Sequence, residues 1–385
     1  PQPAKKPVKK NVDTPNAKKV AIIGSGPAGM TVADRLARLG HRITVFEKLP
    51  VIAGMMGIGI PAYRLPREVI AREYRRIRDL GVEICLNTAI GLNGEHSIDD
   101  LFDRGFNAVC LAIGAHKSLE LHIPGESLSG VVQGIELLKT ISLSQQLDDP
   151  TYQNGLDQVL RHGAARRAVV LGGGNTAMDT ARSMKRLGIS DVRVLYRRSR
   201  SEMPALPEEI EETEKEGITI EFLVGPIRIL GDPTTGVSGI ECIRMKLTEP
   251  DNSGRRRPVP IPDSEFQLDA DVVVLAIGQV PDIGDVQGIT TNRAGRIQLD
   301  GVGFMTKRPG VFAAGDAVTR GKMAVIEAIG MGKKAAAEID AYLRGIQAKE
   351  VSDGVSALPV VQRELSVQEN IPAPRLAVPV LSLIH

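Results

Sequence analysis

The chain has 385 residues, of which 42% are hydrophobic, 24% charged and only 3% aromatic, with no Trp and a net charge of +2. No uninterrupted apolar run approaches the roughly 18 residues of a membrane-spanning helix, and the positive excess comes from the first 19 residues, which hold six lysines and one acid. These features argue against a transmembrane segment and a nucleic-acid footprint, and the length fits two domains.

Residues 1–17 read as a basic linker. From Val20 an apolar run leads into Gly24-Ser25-Gly26-Pro27-Ala28-Gly29, and residues from Met30 to Leu39 have helical spacing with a Gly40 stop. This is strand, turn and helix with a G-x-G-x-x-G fingerprint. Gly24 permits the tight turn, Gly26 lets the backbone approach a pyrophosphate at the helix N-terminus, and Gly29 lets helix pack on strand. The next strand, Arg42 to Phe46, stops at Glu47, which can accept ribose hydroxyls and would repel a 2′-phosphate. The first ligand is therefore expected to be FAD or NAD.

Ala108 to Gly114 forms a further apolar strand ending in Ala112-Ile113-Gly114. A second turn follows at Gly172-Gly173-Gly174-Asn175-Thr176-Ala177, with Ala177 in the third glycine's place, which the fingerprint allows. The strand Val192 to Tyr196 then delivers Arg197 and Arg198 to the slot that Glu47 fills in the first unit. Guanidinium groups suit a phosphate, so the second site favours NADPH, with NADH possible. A solvated arginine cluster that includes Arg200 is the plainer alternative. Asp271 to Gly278 repeats the earlier strand and ends in Ala276-Ile277-Gly278. Downstream, Gly310 to Asp316 is a short strand closing on Gly315-Asp316, whose carboxylate can bond a ribityl hydroxyl. A long helix then begins near Met323-Ala324-Val325 and runs to Leu343, its N-terminus able to stabilise charge on a flavin.

In this order the two turns, the paired Ala-Ile-Gly strands and the Gly-Asp strand resemble the family of the small (beta) subunit of NADPH-dependent glutamate synthase and its flavoprotein relatives. The resemblance covers Lys18 to Gly345 and includes the loop Gly57 to Pro66, the stretch Tyr196 to Ala205 and the segment Gly254 to Pro262. It implies an α/β fold with two Rossmann-like dinucleotide-binding domains, each a three-layer arrangement on a mostly parallel sheet, the NADPH domain being inserted in the FAD domain. The expected boundaries are 18–162 and 284–346 for FAD, 163–283 for NAD(P)H, and 347–385 for a C-terminal arm or linker. The resemblance also implies that Lys48, Gly54, Met55, Ile90 and Arg64 join the FAD site, Met55 and Arg64 lying in a loop that covers the flavin.

Members of that family carry cysteine-rich motifs for two [4Fe-4S] clusters on an N-terminal domain. This chain has only Cys85, Cys110 and Cys242, none in a C-x-x-C, too few for a four-thiolate cluster and without the dithiol of a thioredoxin reductase. All three read as structural. The expected function is an FAD-dependent NAD(P)H oxidoreductase subunit that exchanges electrons with iron–sulfur clusters on an absent domain or partner subunit of a multi-subunit complex in the cytoplasm. A self-contained flavin reductase and a non-catalytic nucleotide-binding subunit are the alternatives. No general acid or base is assigned, and His116 reads as an exposed loop histidine near the flavin side.

Overall fold

The computed structural model describes residues 17–91, 96–161, 163–250, 256–283, 288–301, 303–318 and 323–346. The basic linker over residues 1–16, the arm over 347–385, the boundary at 284 and Gly254-Arg255 lie outside them.

Two five-stranded parallel sheets carry the fold. In the first, Lys19–Ile23 is central, with Arg42–Phe46 and then Glu83–Cys85 on one side and Ala108–Leu111 and then Val311–Ala313 on the other. Beyond exposed Lys19, successive residues of its central strand are all buried but serve two cores. Val20 and Ile22 pack with the helices Pro27–Arg38, Arg67–Arg78 and Val325–Leu343, whereas Ala21 and Ile23 pack on the opposite face with Leu101, Phe106 and Ile297. A strand covered on both faces reads as a continuous apolar run, and this is why Val-Ala-Ile-Ile shows no polar alternation.

The second sheet repeats the pattern. Arg167–Leu171 is central, flanked by Asp191–Tyr196 and Thr219–Phe222 on one side and by Val272–Leu275 and Val131–Gln133 on the other. Ala168 and Val170 face the helices, while Val169 and Leu171 face an antiparallel three-stranded sheet of Val224–Asp232, Gly236–Leu247 and Pro258–Asp269. Each parallel sheet takes its fifth strand from beyond the chain crossing. Val311–Ala313 returns to the first sheet after the second is complete, and Val131–Gln133 enters the second before its glycine turn. The second sheet thus begins some thirty residues ahead of the boundary expected at 163, because the pairing of Val131 with Val273 draws that strand across. Where the chain passes between the halves, Lys117–Ser118 and Gln279–Val280 pair antiparallel as a two-stranded ribbon.

Helix boundaries begin about three residues earlier than periodicity suggests. The two turn helices are Pro27–Arg38 and Asn175–Arg186. Their first turns, Pro27-Ala28-Gly29 and Asn175-Thr176-Ala177, hold small or polar residues and so lack the apolar signal by which a helix is recognised.

Candidate functional site

The C-terminal ends of both central strands open into one cleft of 1610 Å³. This is where ligands bind in open α/β sheets, outside the strand ends at the switch in strand order.

The two glycine turns are built alike. Gly24 has φ of 105°, and a Cβ on it would lie 2.4 Å from the Ala112 carbonyl oxygen; Gly172 has φ of 149°, with the Ala276 oxygen at 2.2 Å. The two Ala-Ile-Gly segments therefore lie just past their strands, at Leu111 and Leu275, with Ala112 and Ala276 turned against the glycine loops. Gly26 and Gly174 differ from these. A Cβ on either meets nothing within 4 Å, and each is the N-cap of a helix with no side-chain cap. Open backbone beside uncapped N–H groups is a cradle for a diphosphate.

On the first side, Glu47 is buried and organises the turn. Its Oε2 accepts from Ser25 N at 2.9 Å and Ser25 Oγ at 2.7 Å, and its Oε1 accepts from Leu49 N at 2.9 Å. A carboxylate offers about four acceptor positions, so among the described residues the unused one lies on Oε1. Ser25 in turn accepts from Ala53 N at 3.0 Å through Oγ, and its carbonyl accepts from the Tyr74 hydroxyl. Ser25, Ala53 and Tyr74 carry no motif signal; Ser25 falls at a variable position of the fingerprint, and Tyr74 arrives through tertiary packing. Asp316 follows the strand Val311–Ala313 and faces the cleft, its carboxyl pushed upward by burial against the opposing pull of Arg296. The N-terminus of Val325–Leu343 opens beside it.

On the second side, Arg197 is exposed at the mouth and Arg198 half-buried with an unpartnered Nε. Neither makes a salt bridge among the described residues. Arg200 is different, because its guanidinium is committed to Glu214. The loop that carries these residues is pinned over the glycine turn. Tyr196 packs its ring on Gly173, Ala205 N donates to Gly173 O at 3.0 Å, and Leu206 N donates to Asn175 Oδ1 at 3.0 Å.

All of the residues expected at the two sites line this single cleft: Gly24, Gly26, Pro27, Ala28, Glu47, Lys48, Gly54, Met55, Arg64, Ile90, Ala112, Gly114, Gly315, Asp316, Met323, Ala324 and Val325 from the first half, and Gly172, Gly174, Asn175, Thr176, Arg197, Arg198, Ala276 and Gly278 from the second. Two side chains behave differently from the expectation. The Arg64 guanidinium is taken by buried Asp179 and half-buried Glu209 of the second half, whose carboxylates lie 2.7 and 2.9 Å from it. His116 is half-buried rather than exposed, and burial beside Lys48 and Lys139 lowers its pKa to about 4. It is a neutral imidazole near pH 7. Cys110 and Cys242 are buried, Cys85 half-buried, and all three thiols are free. Among the described residues no group of His, Cys, Asp and Glu could hold a metal, and no helix is long and apolar enough to cross a membrane.

Residues 18–332 match the pyridine nucleotide-disulphide oxidoreductase family. The chain belongs to that family. This oxidoreductase is 43% identical over 346 residues to the NADP(+)-dependent formate dehydrogenase subunit beta of Moorella thermoacetica, covering 89% of the chain and 46% of that relative. It is 40% identical to the NADPH-Fe(3+) oxidoreductase subunit beta of Geobacter sulfurreducens, covering 85% of the chain and 50% of the relative. It is 36% identical to the glutamate synthase [NADPH] small chain of Escherichia coli, covering 83% of the chain and 67% of that protein. The chain thus spans about half the length of the first two. Among solved structures, Mycobacterium tuberculosis FprA in complex with NADPH superposes with a TM-score of 0.72 at 18% identity, covering 88% of this chain and 89% of that one. Thioredoxin reductase of T. acidophilum superposes at 0.59 and 19% identity, covering 86% and 100%. The fold of the oxidoreductase is therefore that of the two-dinucleotide flavoprotein reductases. The open cradles at Gly26 and Gly174, with the acceptors Glu47 and Asp316 on one side and the cations Arg197 and Arg198 on the other, fit FAD and NADP(H).

Proposed function

We propose that the chain is the flavin-bearing, NADPH-oxidising unit of a larger electron-transfer enzyme, exchanging electrons with an iron–sulfur domain or subunit. The observation that carries this reading is one cleft joining two glycine turns of opposite ribose-end chemistry, Glu47 on one and Arg197-Arg198 on the other. When bound, FAD would take two electrons as a hydride from NADPH and hand them on singly.

The chain's own residues bind, orient and exclude water. Gly26 and the N-terminus of Pro27–Arg38 would hold the FAD diphosphate, the free position of Glu47 a ribose hydroxyl, and Asp316 a ribityl hydroxyl. The positive end of Val325–Leu343 would favour charge on the reduced ring. Gly174, Asn175 and Thr176 would hold the coenzyme diphosphate, and Arg197 its 2′-phosphate; NADH, lacking that phosphate, would bind more weakly. Transfer between two cofactors asks for orientation rather than proton handling, and neutral His116 is given no proton to move. The partner is supported by relatives that are themselves beta subunits, twice as long as the stretch matched. Three scattered thiols support clusters held elsewhere, and their unpaired state supports a reducing compartment such as the cytoplasm.

Anaerobic stopped-flow mixing of the FAD-loaded chain with NADPH tests the core of this reading. Rapid bleaching of the flavin bands, slower with NADH, is expected; a flavin left oxidised by NADPH would falsify it. Repeating the titration with the cluster-bearing partner should add a broad iron–sulfur absorbance change, and flavin bleaching alone in that mixture would favour a diffusible acceptor.

A further inference from the structure

The loop after the short helix Met55–Ile58 is held rigidly within its own half. Arg67 donates from Nη1 to Met56 O and from Nη2 to Ile60 O, both at 2.8 Å, and Arg64 N and Leu65 N close turns on Pro61 O at 3.0 Å. From this platform two side chains reach the other half. Arg64 Nη1 lies 2.7 Å from both carboxylate oxygens of Asp179, and its Nε lies 2.9 Å from Glu209 Oε1. Tyr63 packs its ring under Arg186, 3.9 Å from the guanidinium, with Arg182 at 5.0 Å. The same arginines close the circuit, Arg182 to Glu209 at 2.7 Å and to Glu216 at 2.8 Å, and Arg186 to Glu216 at 2.5 Å.

Thr176, Asp179, Arg182 and Arg186 recur at three and four residues, so they form one stripe along the helix Asn175–Arg186. That helix starts at the second glycine turn, and Asp179 is one turn from it. The contact therefore joins the loop lining the flavin side to the element that cradles the coenzyme, with both Arg64 and Asp179 on the cleft wall. We infer that Tyr63 and Arg64 form a clasp that sets the coenzyme helix against the flavin-side loop, and that Arg64 and Asp179 are positioning residues for transfer between the two bound dinucleotides. The inference rests on the proposed function and deepens it. The planar guanidinium of Arg64 bridges two carboxylates, Nη1 to Asp179 and Nε to Glu209, so it specifies distance and angle where an apolar contact would slide. Fixing geometry is its value here, since burial of Asp179 outweighs the attraction of Arg64 and the pair is a poor stabiliser.

The test uses the full FAD-loaded chain and the double variant Arg64→Met/Asp179→Leu, which leaves no unpaired charge from this pair and should fold. Expected are unchanged FAD content, an NADP+ dissociation constant within about threefold of the parent, and a limiting rate of flavin bleaching about 10- to 100-fold lower, as a displacement of roughly 1 Å can produce. Hydrogen exchange over 59–66 and 175–186 should quicken in the variant, with or without FAD. Arg64→Lys should fall between, because an ammonium cannot span both carboxylates. A double variant that bleaches at the parent rate, or that exchanges like the parent over 175–186, overturns the clasp. Failure of the parent itself to bleach would sink the proposed function, and the exchange comparison would still decide whether the clasp restrains the helix.

Discussion

Glu47 commits three of its acceptor positions to the protein before any ribose arrives, so its burial serves the turn as much as a ligand. Ser25 is the hinge of that arrangement, donating to Glu47 and accepting from Ala53 N. Ser25→Ala strands a buried N–H, which costs about 1–3 kcal/mol. It should lower the thermal midpoint and weaken FAD retention together, as read by unfolding scans and by release of flavin fluorescence. Retention unchanged at a lowered midpoint would confine Ser25 to stability. On the second side, Arg197 is exposed and makes no salt bridge among the described residues, so its removal disturbs little of the fold. Arg197→Glu should cut kcat/KM for NADPH by about 10- to 100-fold, the value of a charge-assisted hydrogen bond, while supplying NADH with a ribose acceptor. An unchanged NADPH-to-NADH ratio would leave Arg197 as plain surface charge.

At the scale of the element, the glycines of one turn divide by what surrounds them. Gly172 has φ of 149° and the Ala276 carbonyl where a Cβ would go, whereas Gly174 has ordinary backbone and open space. Gly172→Ala should therefore destabilise the second half by about 2 kcal/mol or more through strain and clash. Gly174→Ala should leave the thermal midpoint and FAD content unchanged and remove most reduction by NADPH, the methyl filling the diphosphate cradle. If both variants melt like the parent and reduce equally well, this turn does not receive the coenzyme. The turns were legible in the sequence because glycine spacing is a local backbone requirement, and the doubled Ala-Ile-Gly was legible because each segment buttresses one turn. Asp179 and Glu209 were not, since nothing in a helix sequence marks which residue a loop more than a hundred positions earlier will reach. The antiparallel sheet over 224–269 was also missed. One of its two edge strands, Pro258–Asp269, has no buried residue and is interrupted by prolines, so it lacks a clean apolar pattern.

Across the whole molecule, the clasp sets stability and geometry against each other, and pH separates them. Asp179 faces Arg64 from the first half, Glu209 from the helix Pro207–Lys215, and Arg182 on its own helix, with the Tyr63 ring alongside; burial raises its pKa to about 6. A carboxyl that holds its proton more tightly folded than unfolded stabilises the fold fully below the unfolded pKa of 3.8 and loses that contribution as pH rises through about 6. Relative to Asp179→Asn, the parent should thus lose about 1–3 kcal/mol of stability between pH 4 and pH 7, since each tenfold gain in proton affinity on folding is worth roughly 1.4 kcal/mol. The carboxylate that forms over the same range completes the pair with Arg64. The limiting rate of flavin bleaching should therefore rise through pH 6 in the parent and not in Asp179→Asn, while the stability difference falls. Denaturant unfolding and stopped-flow reduction across pH 4–8 measure the two curves. A stability difference flat with pH would mean that Asp179 binds its proton no more tightly folded than unfolded, and curves that move in the same direction would mean that no exchange of stability for alignment takes place between the halves.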